Sequence, residues 1–271
     1  MTVPMTVYDF TPGALPVLVS VPHDGREIPE DIAARMTETG RANTDADWHV
    51  RALYDFAHEL GANVLAARLS RYVVDLNRDP LDTALYPGAV NTGIVPRLSF
   101  DGAPLYLAGA EPDAEEQAAR IERYWRPYHD KIAETLDELC ARFGGAVLYD
   151  AHSIRSEVPR LFEGRLPDFN LGTSGGAAAA KGLEGAVHDA LAAAQGYTTV
   201  LNGRFKGGYI TRTYGRPAEN RHAVQLELSQ RTYMNEAAPF ELLPDVAAQV
   251  TPALRAAVAA ACDWARARLA G

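Results

Sequence analysis

The feature that most constrains this chain is the run Val147-Leu148-Tyr149-Asp150-Ala151-His152-Ser153. Gly144-Gly145 stops the helical pattern before it, and the short apolar stretch reads as a buried strand. Charge arrives only where the strand would leave its sheet. In open α/β sheets, ligands sit just beyond the carboxyl ends of the strands. A His at that place, beside a Ser that can donate or accept, suits a metal or a reacting carbonyl if the rest of the chain supplies partners.

Other segments repeat the pattern. Leu15 to Val21 reads as a buried strand that ends in Pro22-His23-Asp24-Gly25. Ala62 to Ala67 reads as another. Tyr72 to Leu76 is expected as a strand running into Asn77-Arg78-Asp79-Pro80. Ala223 to Leu228 is a strand with Gln225 and Glu227 on one face. An edge strand is expected at Thr6 to Phe10, and a further strand at Thr198 to Leu201. Asn43 to Gly61 is expected as one amphipathic helix. Val50, Leu53, Tyr54, Ala57 and Leu60 form its core face, with Asp45 and Asp47 in the first turn. Helices are also expected over Glu115 to Phe143, kinked at Pro127, over Ala177 to Gln195 and over Thr251 to Leu269. Residues 81–111 read as a long loop with a turn at Tyr86-Pro87-Gly88, and Phe205 to Arg212 as a loop entering a short strand. Tyr124, Trp125, Tyr128 and Ile132 read as a packing face, and His58, His129 and His188 as surface or packing residues. Strands alternating with helices, without repeat or linker, argue one α/β layered domain over residues 1–271.

Composition narrows the function. A formal net charge of −9 argues against wholesale nucleic-acid binding. No apolar run reaches membrane-spanning length, and the N-terminus shows no signal-peptide pattern. Cys140 and Cys262, outside any Cys-x-x-Cys motif, read as reduced core thiols, so a cytoplasmic location is expected.

Chemistry gathers at the strand ends: His23, Asn77-Arg78, His152 and Glu227. Two histidines and one carboxylate make a three-ligand zinc site with an open fourth position. Such a metal lowers the pKa of water to about 7. The carboxylate could be Asp45 or Asp47. A separate carboxylate must move the proton to a leaving amine, and Glu227 on its apolar strand suits that role. Arg78, Arg155, Arg212 and Arg216 flank glycines, prolines or strand ends, from which guanidinium groups could pair the carboxylates of a small dianion.

Several longer segments carry a family resemblance. They are Ser20-Val21-Pro22-His23, Thr44 to His49, Asp75-Leu76-Asn77-Arg78, Asp150 to Ser156, Pro159 to Phe162, Asn202 to Arg212 and His222 to Leu228. In this order, over nearly the whole chain, they resemble the N-formylglutamate deformylase (N-formylglutamate amidohydrolase) family. The resemblance implies zinc-assisted hydrolysis of N-formyl-L-glutamate to formate and L-glutamate, the last step of one histidine degradation route. It also implies a three-layer α/β/α sandwich around a mixed, mostly parallel sheet, similar to the zinc carboxypeptidases. Carried across by position, His23, Asp47 and His152 would hold the metal and Glu227 would act as general base. Arg78 would join it in catalysis, and Asn77-Arg78 would match the carboxylate-binding Asn-Arg pair of those peptidases. The peptidases' His-x-x-Glu spacing is absent, since Arg26 is the third residue after His23. Asp24 is a candidate for orienting an imidazole from outside the metal shell. Two alternatives stay open: hydrolysis of another N-acyl amino acid or peptide end, and binding of acidic amino acids without catalysis. The donor set would also accept iron, cobalt or manganese. The oligomeric state is not encoded in any of these features.

Overall fold

Val17–Val21 (β2) and Ala146–Ile154 (β4) are buried at every residue, as strands covered on both faces must be. The computed structural model describes residues 6–83 and 92–269, so the turn expected at Tyr86-Pro87-Gly88 lies outside the described residues. The other strands are β1 (Tyr8–Thr11), β3 (Asn63–Ala67), β5 (Phe169–Gly172), β6 (Thr199–Leu201) and β7 (Arg221–Ser229). Together they form one seven-stranded sheet in the order β1-β3-β2-β4-β7-β5-β6. β3, β2, β4 and β7 run parallel. β1 joins antiparallel at one edge, and β5, paired with β6, lies antiparallel to β7 at the other. The sheet is mixed and mostly parallel.

The helices are α1 (Glu30–Ala33), α2 (Glu38–Arg41), α3 (Val50–Leu53), α4 (Phe56–Glu59), α5 (Ala114–Arg120), α6 (Arg126–Phe143), α7 (Lys181–Ala192), α8 (Tyr209–Tyr214) and α9 (Pro244–Leu269). A π-helical turn, Ile121–Trp125, joins α5 to α6. On one face of the sheet, Leu18, Leu65 and Leu148 pack with Tyr128, Ile132 and Leu136 of α6. On the other, Val19, Tyr149 and Leu226 pack with residues of α3, α4, α7 and α9. From β2 the chain crosses through α3 and α4 on the second face to β3. It then returns through α6 on the first face to β4, on the opposite side of β2. The carboxyl ends of β2 and β4 therefore flank a topological switch point, where such sheets open a crevice.

Four local expectations are corrected. The single helix over Asn43–Gly61 is two short turns, because Asn43 (φ 52°) and His49 (φ 66°) adopt left-handed backbone that an α-helix excludes. Asp45 and Asp47 lie in the irregular stretch before α3, not in a helix turn. Residues 72–76 form a turn, with the Val73 N–H donating to Ser70 and the Asp75 N–H to Ile94. The segment expected to enter a strand at Arg212 is helix α8.

Candidate metal centre

Register along β4 and β7 explains how one face of the sheet turns polar. Leu148 lies beside Ala223, Asp150 beside Gln225 and His152 beside Glu227. Alternate residues share a face, so the face covered by α6 passes from apolar to polar within one step along both strands. The change falls at the carboxyl ends, beside the switch point.

His23 arrives from the exit of β2. The Asp47 N–H donates to the His23 carbonyl at 3.0 Å, which stitches the 43–49 loop to that exit. Asp47 Oδ2 accepts from His152 Nδ1 and from the Ser153 N–H, each at 3.0 Å, and lies 3.7 Å from His23 Nδ1. The two imidazole centroids are 4.8 Å apart. One ligand atom from each of His23, Asp47 and His152 falls within 4.8 Å of the others, and all three residues are buried.

Both imidazoles turn Nδ1 toward Asp47 and Nε2 toward another carboxylate. His23 Nε2 meets Asp75 Oδ1 at 2.7 Å, and His152 Nε2 meets Asp150 Oδ2 at 3.0 Å. A carboxylate behind each ring fixes its tautomer and raises its basicity, the arrangement that metal-bound histidines favour. Arg71, also buried, donates to Asp75 at 2.7 Å and to Asp47 at 3.4 Å. The donor set of two nitrogens and one carboxylate, buried and braced, fits a divalent cation.

The charges are strongly coupled. Burial alone would raise the Asp47 carboxyl, but His23 and His152 overcome it and hold Asp47 well below the usual carboxylate range. Asp75 is likewise held low against burial, by Arg71 and His23. Burial works against a charged His152, yet Asp150 and Asp47 push its pKa well above the ordinary imidazole value. Glu227 goes the other way. Burial, reinforced by Asp47, outweighs the pull of His152 and raises it to about 8.

His23, Asp47 and His152 thus come together, with Glu227 one strand away. Asp45 stays out of the cluster, with Oδ2 accepting the Phe100 N–H at 2.7 Å. Asp24 is buried near Arg26 and Asp47, but Asp75 and Asp150 are the carboxylates that back the rings. Asn77 lies beneath His152, with Nδ2 2.9 Å from the ring and Oδ1 accepting the Ile210 N–H at 2.8 Å. Its amide also lies 3.3 Å from Asp150 Oδ2, so it is tied to the group behind the His152 ring. Half-buried Arg78 donates to Thr92 Oγ1 at 2.9 Å. Arg155 follows β4 and pairs with Asp101 at 2.9 Å. Arg212 is exposed on α8 and donates to the Gly207 carbonyl at 3.1 Å. Arg216 does not join them. It bridges Arg221 at the amino-terminal end of β7, the end opposite Glu227, and faces Glu219. His222 is also at that end, edge-on to Trp264.

Sequence reasoning assigned no roles to Asp75, Asp150 and Arg71. Asp150 had a usable signal, because two residues before His152 on a strand is the same face. Among the described residues, no helix is long and apolar enough to cross a membrane.

A family model described as N-formylglutamate amidohydrolase matches residues 15–234. An N-formylglutamate deformylase of Pseudomonas aeruginosa is 52% identical over 264 residues, covering 97% of this chain and 99% of the relative. Another N-formylglutamate deformylase, from Pseudomonas putida, is 48% identical over 95% of this chain and 96% of its own length. The crystal structure of an N-formylglutamate amidohydrolase from Ralstonia eutropha JMP134 superimposes with a TM-score of 0.83 at 28% identity, covering 97% of this chain and 99% of the other.

Proposed function

The chain belongs to the N-formylglutamate amidohydrolase family, and on that premise we propose that it hydrolyses N-formyl-L-glutamate to formate and L-glutamate, with zinc as its metal. The observation that carries this reading is the buried meeting of His23, Asp47 and His152 at the switch point of the sheet. His23 and His152 would hold the cation through Nδ1, and Asp47 through its carboxylate. When bound, the cation supplies Lewis acidity, which polarises the formyl carbonyl and makes water acidic near neutral pH.

The chain's own groups do the rest. Glu227 in its ionised form takes a proton from the attacking water and delivers it to the amide nitrogen, and its raised pKa of about 8 makes it a stronger base than an ordinary carboxylate. The C–N bond breaks, the formyl carbon leaves as formate, and the nitrogen leaves as the amine of glutamate. Arg78 pairs one substrate carboxylate, with Arg155 and Arg212 as candidates for the other. Asn77 donates to Asp150, the carboxylate behind the His152 ring, and so steadies it from beneath. The whole of residues 1–271 is taken as one unit serving this site.

The test is formate release by purified protein of measured zinc content, on N-formylglutamate, N-formylaspartate and N-acetylglutamate. Fastest turnover on N-formylglutamate, lost with chelator and restored by zinc, is expected. Binding of glutamate without formate release would overturn the catalytic reading. A preference for another acyl group would overturn the substrate.

A further inference from the structure

Residues 75–78 form a crosspiece under the metal site. The Asp75 carboxylate meets His23 and also accepts the Asn77 N–H at 2.9 Å, while the Asn77 amide meets His152. The carbonyls of Leu76 and Arg78 are held from the helix side. His129 Nε2–H donates to the Leu76 carbonyl at 2.8 Å, and Trp125 Nε1–H donates to the Arg78 carbonyl at 3.1 Å. The two rings stack, with centroids 3.7 Å apart and planes 17° apart. Both residues are buried. A carbonyl can only accept, so the Leu76 contact places the His129 proton on Nε2, while Nδ1 faces the Tyr214 hydroxyl at 3.0 Å. Burial pushes the His129 pKa down to about 3, which keeps the ring neutral.

The π turn that ends at Trp125 has a local cause. Pro127 has no N–H to give the Arg123 carbonyl, and the wider turn absorbs the missing bond. Trp125 and His129 lie four residues apart on one helix face, both aimed at main chain flanking Asn77. This face does more than pack.

We propose that Trp125 and His129 are a paired positioning clamp that fixes residues 75–78 and so aims Arg78 at a substrate carboxylate, a role that rests on Arg78 being a substrate contact. The Arg78 side chain is long, and its reach is set by where its own backbone is held. Releasing the carbonyl leaves a buried acceptor unpaired and lets the segment shift. A shift of Arg78 weakens ground-state binding more than the chemical step, because the reacting carbon is held elsewhere.

Trp125→Phe keeps an aromatic ring and removes the N–H. KM for N-formyl-L-glutamate is expected to rise about tenfold, with kcat within about twofold of the parent. Zinc content should not move, the unfolding midpoint should fall modestly because a buried carbonyl loses its donor, and calorimetric affinity for L-glutamate should weaken in parallel with the rise in KM. In an Arg78→Ala background the same substitution should leave KM where Arg78→Ala set it, since coupled residues do not add. His129→Leu should repeat the KM effect, and His129→Gln, which keeps an N–H donor, should recover much of it. An unchanged KM in Trp125→Phe and His129→Leu, with Arg78→Ala raising it, would overturn the clamp alone. So would effects that multiply fully with Arg78→Ala, since these would mark a merely structural role. If Arg78→Ala itself leaves KM unchanged, the reading of Arg78 fails, and the clamp's target with it.

Discussion

Glu227 keeps its proton at a pH where an exposed carboxylate has lost it, because burial and the nearby Asp47 disfavour its charge more than His152 favours it. Two predictions follow from that one environment. Glu227→Gln preserves shape and removes the proton acceptor, so kcat should fall about 10²–10⁴-fold with zinc content unchanged. Loss of zinc instead would make Glu227 a ligand, and retained turnover would remove it from the chemistry. The same group makes the metal-free fold pH-sensitive. Its pKa rises on folding from 4.5 to about 8, so the folded state binds more protons between those values. Its contribution to stability is full below pH 4.5 and is lost as pH rises through 8. Denaturant unfolding of zinc-stripped protein at pH 6 and pH 9 should show a smaller drop in Glu227→Gln than in the parent. An equal drop in both would reject the assigned shift. His23, His152 and Glu227 were readable in the sequence, because polar groups at the tips of apolar strands have no packing reason to be there. Asp75 and Arg71 were not. Asp75 reaches His23 across 52 residues, and Arg71 reaches Asp47 across 24, through a turn that the sequence presents as a strand.

Buried elements were legible where burial fixes the period. β2, β3 and β4 carry mainly apolar runs, β7 alternates apolar with polar residues, and all four fall close to where those patterns lie. The elements that bend around the site were not, because tertiary contacts overrule local preference there. Helix α8 is an example: Gly208 precedes it, and the Ile210 N–H donates to Asn77 Oδ1. A Cβ at Gly208 would fall 2.4–2.6 Å from the Asn77 amide. That amide is already bound at both ends and cannot swing away. Gly208→Ala should therefore cost about 1–3 kcal/mol of stability through overpacking and should weaken zinc retention by disturbing the support of His152. Gly185, within α7, is the matched control. Nothing lies within 4 Å of a Cβ there, so Gly185→Ala should stabilise by about 0.4–1 kcal/mol with zinc content unchanged. Denaturant midpoints and metal analysis of the two variants decide the point. Equal behaviour would remove the steric argument.

At the scale of the molecule, the candidate metal ligands join three separately arriving pieces: the exit of β2, the 43–49 loop and the end of β4. Their closeness, expected from the strand ends, is produced by the chain crossing opposite faces of the sheet on either side of β2. A cation held by all three binds the folded state and not the open chain, so it should raise stability by about 2.7 kcal/mol at a free concentration one hundred times its Kd. The size of that gain should depend on pH. In the metal-free chain, Asp150 and Asp47 hold His152 protonated above the ordinary imidazole range, against burial, and a ligand nitrogen must give up its proton to a metal. Zinc binding should then release protons near neutral pH, visible as a calorimetric heat that changes with the ionisation enthalpy of the buffer. The shift in unfolding midpoint between zinc-loaded and chelator-treated protein should shrink as pH falls. Asp47→Asn removes the ligand charge as well as the partner of both rings, and should abolish the shift at every pH. A shift that survives in Asp47→Asn, or that grows on acidification, would mean that zinc stabilises this fold from some other place.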